Sequence, residues 1–499
     1  MPATLNIIAL TVFLGFFALV TVIGFMASRW KAGDLNDLHQ WGLGGRQFGT
    51  LITWFLIGGD FYTAYTVIAV PALVYAVGAY GFFALPYTII VYPFVFLVMP
   101  RLWKACHKGN HITAADYVQS EYGGKWFAAA IAVTGIVATM PYIALQLIGM
   151  QVVIKSLGIS GEIPLTVAFL ILAFYTYASG IRAPAMIAFV KDIMIYIVVI
   201  VAVCLIPSKL GGYASVFDSA GAYFAAKGGV TGLTLQPSQV FAYASLALGS
   251  ALAAFMYPHT MTAILSSSSE KTIKKNAILL PVYSVLLGLI ALMGYMAIAA
   301  GVKVTNNTEV VPALFAQLFP SWFVGFAAAA IAISALVPAA IMSIGSANLF
   351  TRNLWKPLVN PKLTAKQESQ NAKLVSLLVK LGALGFIVFL PTKFAIDLQL
   401  LGGVWILQTL PAIVLTLYTK RLRLPALFVG WLAGIALGTS LVYIQGLKPI
   451  FALQIAGNTY PVYIGLIALA LNLVLTAAIS VLLPAKAIPA VSGKMANTA

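Results

Sequence analysis

Thr50–Gly81 reads TLITWFLIGGDFYTAYTVIAVPALVYAVGAYG, a run long enough to cross a bilayer that nonetheless carries an acid, Asp60, after two glycines. At about 1.5 Å per residue Asp60 lies ~15 Å in from Thr50, near the middle of a hydrocarbon layer roughly 30 Å thick. A carboxylate at that depth costs about 2.5–3.5 kcal/mol or more, so it faces a cavity, a partner or an ion. Gly58 and Gly59 loosen the helix on one side of the acid, and Pro71 removes an amide on the other. The spacing predicts a helix interrupted at mid-membrane, the element on which secondary transporters hold substrate and coupling ion. The alternative is a kinked helix whose buried acid is satisfied by a neighbouring side chain.

Composition places the whole chain in the membrane class. Of 499 residues 61% are hydrophobic and 8% charged, with mean hydropathy +0.98, so most apolar side chains must face lipid or one another. Cys106 in a polar loop and Cys204 in an apolar helix make no plausible disulfide, and no Cys/His spacing resembles a metal site. The start of the chain lacks a basic n-region and its apolar run is too long for a signal peptide, so it is expected to remain as a spanning helix.

Thirteen apolar spans are predicted, near 7–28, 50–78, 80–100, 126–157, 163–180, 187–206, 238–265, 277–301, 322–350, 374–391, 397–418, 424–445 and 460–483. Of the 29 Lys and Arg, 22 fall in alternate loops beginning with 29–49 and six in the others, with Lys380 inside a span. The positive-inside rule makes the first set cytoplasmic, which puts the N-terminus on the periplasmic side, the C-terminus in the cytoplasm and the protein in the inner membrane. The net charge of +17 is thereby a matter of topology. Nucleic-acid binding would need the charges clustered on one folded face, and here they are dispersed among short loops.

Loop motifs add little chemistry. Thr113-Ala-Ala-Asp116 has the form of a capping box opening a short interfacial helix, closed by Gly123-Gly124. Ser266–Ser269, followed by Glu270 and three lysines, reads as a solvated loop. There is no Walker A loop, no GxGxxG after a strand and no triad-like spacing, so neither ATP-driven transport nor intramembrane catalysis has support. The chain is expected not to be an enzyme and to carry no cofactor. The roughly 16 residues after the last span are too short for a signalling domain.

Several stretches together carry a family resemblance: Gly44-Gly45-Arg46, Val70-Pro71 with Tyr75–Gly78, Thr113–Tyr122, Pro141–Gly149 with Gln146 inside it, and Gly180-Ile-Arg182-Ala183. In that order and spacing the chain resembles the sodium:solute symporter family. YPHTM at 257–261, NLFTRN at 348–353 and LQLLGGVWILQTLPA at 398–412 are similar to its bacterial monocarboxylate permease branch. The resemblance implies an all-α integral membrane protein with the leucine-transporter fold: a leading helix and loop (1–43), two inverted five-helix repeats (44–206 and 238–419) joined by an extracellular loop (207–237), and two trailing helices with a short tail (420–499). Each repeat opens on a broken helix. In the second, Gly249-Ser250 and then Tyr257-Pro258-His259 are expected to interrupt the run 238–265, an interruption visible without the family.

Polar groups near the two breaks make the candidate substrate site. They are Thr63, Tyr65 and Thr66 past the first break, Gln146 after Pro141, Tyr257 and His259 in the second broken helix, and Gln408 before Pro411. Isolated polar groups are costly in hydrocarbon, so seven near one depth suggest a cavity, although each singly is also compatible with gluing two helices together. His259 reads either as a neutral hydrogen-bonded histidine or as a proton relay. Half-helix N-termini suit a carboxylate. No Arg or Lys is placed at mid-membrane: Lys191 and Asp192 sit near the cytoplasmic start of the sixth span, and neighbours about 100° apart on a helix are expected to serve separate partners.

The resemblance also implies a sodium site built from the backbone carbonyls of Gly59 and Tyr62 and a pair of adjacent hydroxyls in the eighth core helix. Matching NLFTRN without gaps puts Val337 and Pro338 at the paired positions, with Ser334 one turn earlier. Sliding to Ala340–Ser343 keeps Ser343 but places Ile344 beside it. With the pair missing and Asp60 next to Gly59, coupling to protons, or to sodium through a site rebuilt around Asp60, is expected. The sequence therefore reads as a cation-coupled symporter for a short monocarboxylate, with the bilayer and the small carboxylate as its partners and no nucleic acid or obligatory protein partner. A sodium symporter for an amino acid or pantothenate, and a membrane nutrient sensor on the same fold, remain alternatives.

Overall fold

The computed structural model describes residues 5–30, 33–159, 163–228, 232–389 and 396–483, without the side chains of 384–389. Nearly all of it is helix. The helices that frame the site are α1 (Ile7–Met26), α2 (Thr50–Phe61), α3 (Val70–Val77), α4 (Ala84–Lys108), α5 (Ala114–Tyr122), α6 (Lys125–Ser156), α7 (Ile163–Ser179), α8 (Arg182–Lys209), α9 (Val240–Ala254), α10 (Pro258–Leu265), α11 (Pro281–Ala299), α12 (Ser321–Leu349), α13 (Ala365–Phe389), α14 (Ile396–Ile406), α15 (Leu424–Ile444) and α16 (Ile464–Leu482). Among the described residues nine helical stretches are long and apolar enough to cross a membrane, or ten if the bent pair Pro237–Ala254 and Pro258–Leu265 is one span. The predicted spans 50–78 and 163–180 fall partly or wholly on the shorter apolar helices α2 and α7. The protein is a multi-pass membrane protein.

The first predicted interruption is present, one step later than its glycines. Gly58 and Gly59 lie inside α2, and the helix ends where Tyr62 leaves the helical region at φ −98°, ψ 86°. A π-helical turn, Tyr65–Ala69, then leads into α3, with Pro71 in its first turn. The glycines serve as clearance instead. A Cβ on Gly58 would overlap the Tyr283 ring, and one on Gly59 would lie 3.2 Å from Lys191 Nζ.

In the second broken helix Gly249 and Ser250 are ordinary helical residues of α9, contrary to the expected double interruption. The single break is at Phe255–Tyr257, where the axis turns by 49°. Extended Tyr257 and the ring of Pro258 at the first position of α10 set that turn, and the Thr260 hydroxyl donates to the carbonyls of Ala254 (2.8 Å) and Tyr257 (2.9 Å) across it.

α12 runs through the middle of the bundle, almost every residue buried, against α1, α6, α8, α10 and α13. Its run of Ala, Ser and Gly allows that closeness, since small residues let helix backbones approach where no water drives association. At Gly345 a Cβ would strike the Pro258 carbonyl group, so α12 touches the start of α10 directly.

Several elements were not anticipated, among them short helices over Leu38–Leu43 and Val310–Leu318 in predicted loops. A helix spans Tyr213–Gly228 within the predicted loop, and strands β1 (Ile450–Ile455) and β2 (Asn458–Tyr463) form an antiparallel hairpin between α15 and α16. Its two-residue turn, Ala456-Gly457, has positive φ at both positions, the geometry that matches strand twist. Ser266 and Ser267, expected in a solvated loop, are buried. Phe48 N–H donates to Ser266 O (3.3 Å) and Ser268 N–H to Phe48 O (2.9 Å), which stitches the approach to α2 onto the end of α10. The Trp103 indole donates to Ser267 O (2.9 Å).

α5 is the capped helix the sequence predicts, with both arms of the Thr113–Asp116 box formed and Gly123 as a left-handed C-cap. Asp116 also accepts from Asn353 Nδ2 (2.8 Å) and pairs with Arg352 (3.3 Å), which reaches Glu368 (2.9 Å) with Lys356 (2.7 Å). These bonds lock α5 to the end of α12 and to α13 at the end of the bundle that carries most basic loops.

Candidate functional site between two broken helices

The breaks in the two discontinuous helices meet. Asp60, at the last turn of α2, places Oδ2 3.7 Å from Nε2 of His259 in the first turn of α10, both side chains being buried. Neither Asp60 oxygen accepts a hydrogen bond among the described residues, and His259 Nδ1 also lacks a partner. Phe61, next to Asp60, and Phe255, at the second break, have ring centroids 5.3 Å apart.

α6 supplies the third wall. Tyr142 sets its ring edge-on to Tyr65 (6.3 Å), Tyr257 (5.5 Å) and His259 (5.4 Å), and Gly149 lies against Ala64. Positions 142, 146 and 149 share one helical face, so Gln146 falls between those contacts, facing the first break. Both its amide atoms are buried without a partner. Buried polar atoms in native structures are nearly always satisfied. Unsatisfied atoms on Asp60, His259 and Gln146, from three helices around the two breaks, make this the candidate binding site.

The other candidate residues divide. Thr63 and Thr66 hold the break itself: Thr63 Oγ1 accepts from Tyr65 N–H (3.0 Å) and Thr66 donates to Thr63 O (2.8 Å). Tyr257 presents its ring to His259 (5.2 Å) while its hydroxyl donates to Gln399 O on α14 (2.9 Å). Gln408 is turned to the trailing helices. It donates to Val404 O (3.0 Å), and Asn472 on α16 donates to its backbone carbonyl (2.9 Å). Ser334 and Ser343 donate to their own helix at Ala330 O (2.6 Å) and Ala340 O (2.8 Å). About 13 Å of helix separates them. Ser343 further accepts from Ser376 on α13 (3.0 Å), a residue also held by buried Lys380 (3.1 Å).

The sequence reading missed Lys191. It was counted among loop charges, yet it is fully buried and its Nζ reaches the break in α2, where it donates to the carbonyls of Gly59 (2.8 Å) and Tyr62 (2.7 Å). Nor do Lys191 and Asp192 serve separate partners, because Nζ also lies 2.7 Å from Asp192 Oδ1. The helical-wheel argument fixes where Cβ points but ignores the long lysine stem, which can carry the charge back across a face. Asp192 Oδ2 accepts from the Tyr283 hydroxyl on α11 (2.6 Å). The available signal was an adjacent Lys and Asp nine residues inside a helix otherwise apolar.

Comparison with known proteins agrees with this architecture. The sodium:solute symporter family profile matches residues 41–434. The chain is 62% identical over 488 residues to a monocarboxylate transport permease protein of Rhizobium johnstonii (strain DSM 114642 / LMG 32736 / 3841), covering 98% of this chain and 99% of that one. It is 32% identical to the uncharacterized symporter YodF of Bacillus subtilis (strain 168), over 85% of this chain and 86% of that protein. A solved structure described as the substrate-bound outward-open state of a sodium-coupled sialic acid symporter superposes with TM-score 0.76 at 15% identity, covering 96% of this chain and 98% of that one, which shows the leucine-transporter-like fold. With broken helices, a buried polar junction and a profile match over most of its length, the chain belongs to the sodium:solute symporter family.

Proposed function

We infer that this protein is an inner-membrane symporter that imports short monocarboxylates, of the pyruvate, lactate or acetate kind, by alternating access, with a proton as the coupling ion. The observation that carries the reading is the junction of Asp60, His259 and Gln146, three buried polar side chains with unsatisfied atoms between the two broken helices. Supporting it is the 62% identical relative named for monocarboxylate transport.

The charges at the junction favour one negative charge on the substrate. Lys191 and Asp192 neutralise each other, leaving Asp60, among the described residues, as the further acid at the break. A proton on Asp60 removes its charge, and a monocarboxylate then meets neutral donors: the Gln146 amide and the His259 ring. A second substrate carboxylate would enter a buried site with no free cation among the described residues to meet it, a cost that rejects dicarboxylates. Transport follows if only the empty and doubly loaded forms rock the repeats 44–206 and 238–419 past each other.

Reconstitution into proteoliposomes tests this. Labelled pyruvate, lactate or acetate should accumulate under an inward proton gradient and be displaced by one another, with succinate a poor competitor. Tight competition by succinate, or accumulation that follows a sodium gradient and ignores an imposed pH gradient, would refute the substrate and the ion respectively.

A further inference from the structure

The geometry points to Lys191 as a tethered cation that permanently fills the cation position at the first broken helix, so that no sodium ion binds there. This deepens, and rests on, the reading of the chain as a cation-coupled symporter. The end of α2 presents two carbonyls, Gly59 O and Tyr62 O, at the negative pole of a helix dipole. In the family a sodium ion is expected to draw on both. Here both accept from one ammonium, at 2.8 and 2.7 Å, and the third oxygen around that nitrogen is Asp192 Oδ1 at 2.7 Å. An ammonium has three N–H donors, and three oxygens surround it. A metal ion sharing those carbonyls would sit within a few Å of a like charge in a medium of low dielectric.

The surroundings are built for the lysine. Gly59 lacks the Cβ that would stand 3.2 Å from Nζ, and the same absent atom would lie 3.2 Å from Ala188 Cβ, one turn before Lys191 on α8. Tyr283, hemmed in by the rings of Trp54, Tyr62 and Tyr196, holds Asp192 Oδ2 at 2.6 Å and so fixes the counter-charge. On α12 the hydroxyls that would complete a sodium shell are replaced by Val337 and Pro338 in the ungapped register. Charge, oxygen donors and space are all accounted for by side chains of this chain. Lys191 is a positioning residue for the break, holding the end of α2 to α8.

Thermal unfolding in detergent, with sodium exchanged for choline at constant ionic strength, decides the matter without relying on transport. Wild type and Asp60→Asn should both show an unchanged midpoint, while Lys191→Ala, which frees the three oxygens, should gain a saturable upward shift with sodium. A response in wild type that vanishes in Asp60→Asn locates the ion at Asp60: it supports the assignment of Lys191 and overturns the proton reading instead. A sodium response of equal size in wild type and Asp60→Asn would overturn the assignment, as would a folded Lys191→Ala that ignores sodium. Should Lys191→Ala fail to fold, the comparison of wild type with Asp60→Asn decides alone.

Discussion

Replacing Gly58 by alanine should destabilise the protein by about 2–5 kcal/mol, although alanine is the better helix former by roughly 1 kcal/mol. The added Cβ would overlap the Tyr283 ring and stand 2.7 Å from its hydroxyl oxygen. That ring has nowhere to go. Trp54 and Tyr62 lie with ring centroids 4.7 Å from it and Tyr196 at 5.7 Å. Overpacking a well-filled core costs about 1–3 kcal/mol. Displacing the hydroxyl also breaks its 2.6 Å bond to Asp192, and a hydrogen bond to a charged group is worth about 1.5–3 kcal/mol. Gly288→Ala on α11 is the matched control: its Cβ would meet only Leu85, at 3.6 Å, so it should be neutral or stabilising by up to about 1 kcal/mol. Thermal unfolding of both variants in one detergent, followed by intrinsic fluorescence, compares them directly. Equal midpoints for the two, or a Gly58→Ala midpoint at or above wild type, would refute the packing argument around Tyr283.

Asp60→Asn should fold and unfold like wild type yet lose most coupled uptake, since no hydrogen bond in the fold depends on the carboxylate; normal uptake by this variant in proteoliposomes would reduce Asp60 to a structural partner. Gln408→Leu should cost about 1–3 kcal/mol for the partners it leaves buried, seen as a lower midpoint, while the KM for substrate stays put because the side-chain Oε1 accepts from Asn472 on α16; a raised KM with unchanged stability would return it to the substrate site. Asp116→Ala strips two pairings that join α5 to the end of α12, and should speed proteolysis or cysteine labelling at that end of the bundle; unchanged accessibility would show the cluster to be incidental. Reporter fusions should place the N-terminus outside and the C-terminus inside, and both ends on one side would remove a span.

Much of the site was legible because membranes make polar residues expensive. Asp60, Gln146 and His259 stood out from apolar runs; the structure brings Asp60 and His259 together and leaves Gln146 buried without a partner on the neighbouring helix. Gln408 stood out for the same reason, but depth along a helix says nothing about azimuth, and it faces α16. Glycine was the misleading letter. Gly58-Gly59 and Gly249-Ser250 were read as weak points, whereas the breaks fall at Tyr62 and, as the Tyr257-Pro258-His259 reading expected, at Tyr257-Pro258, where a capping hydroxyl and a proline respectively set the turn. Gly58 and Gly59 record the size of their neighbours, a tyrosine ring and an ammonium, which no local pattern contains. The hairpin of β1 and β2 lay hidden in a loop read only for charge, although Ala456-Gly457 carries a turn signal.

The link between Phe48 and Ser266–Ser268 is made wholly of main-chain groups. A seam of that kind is indifferent to side-chain identity, so substitutions at 48, 266 or 268 leave its donors and acceptors in place, proline at 48 or 268 excepted because it removes the donating N–H. Mechanically the seam works as a rivet between the entry to one broken helix and the exit of the other. A motion that parted the two elements at this end would first have to break both bonds, whereas at Tyr62 and Tyr257 each helix is already cut.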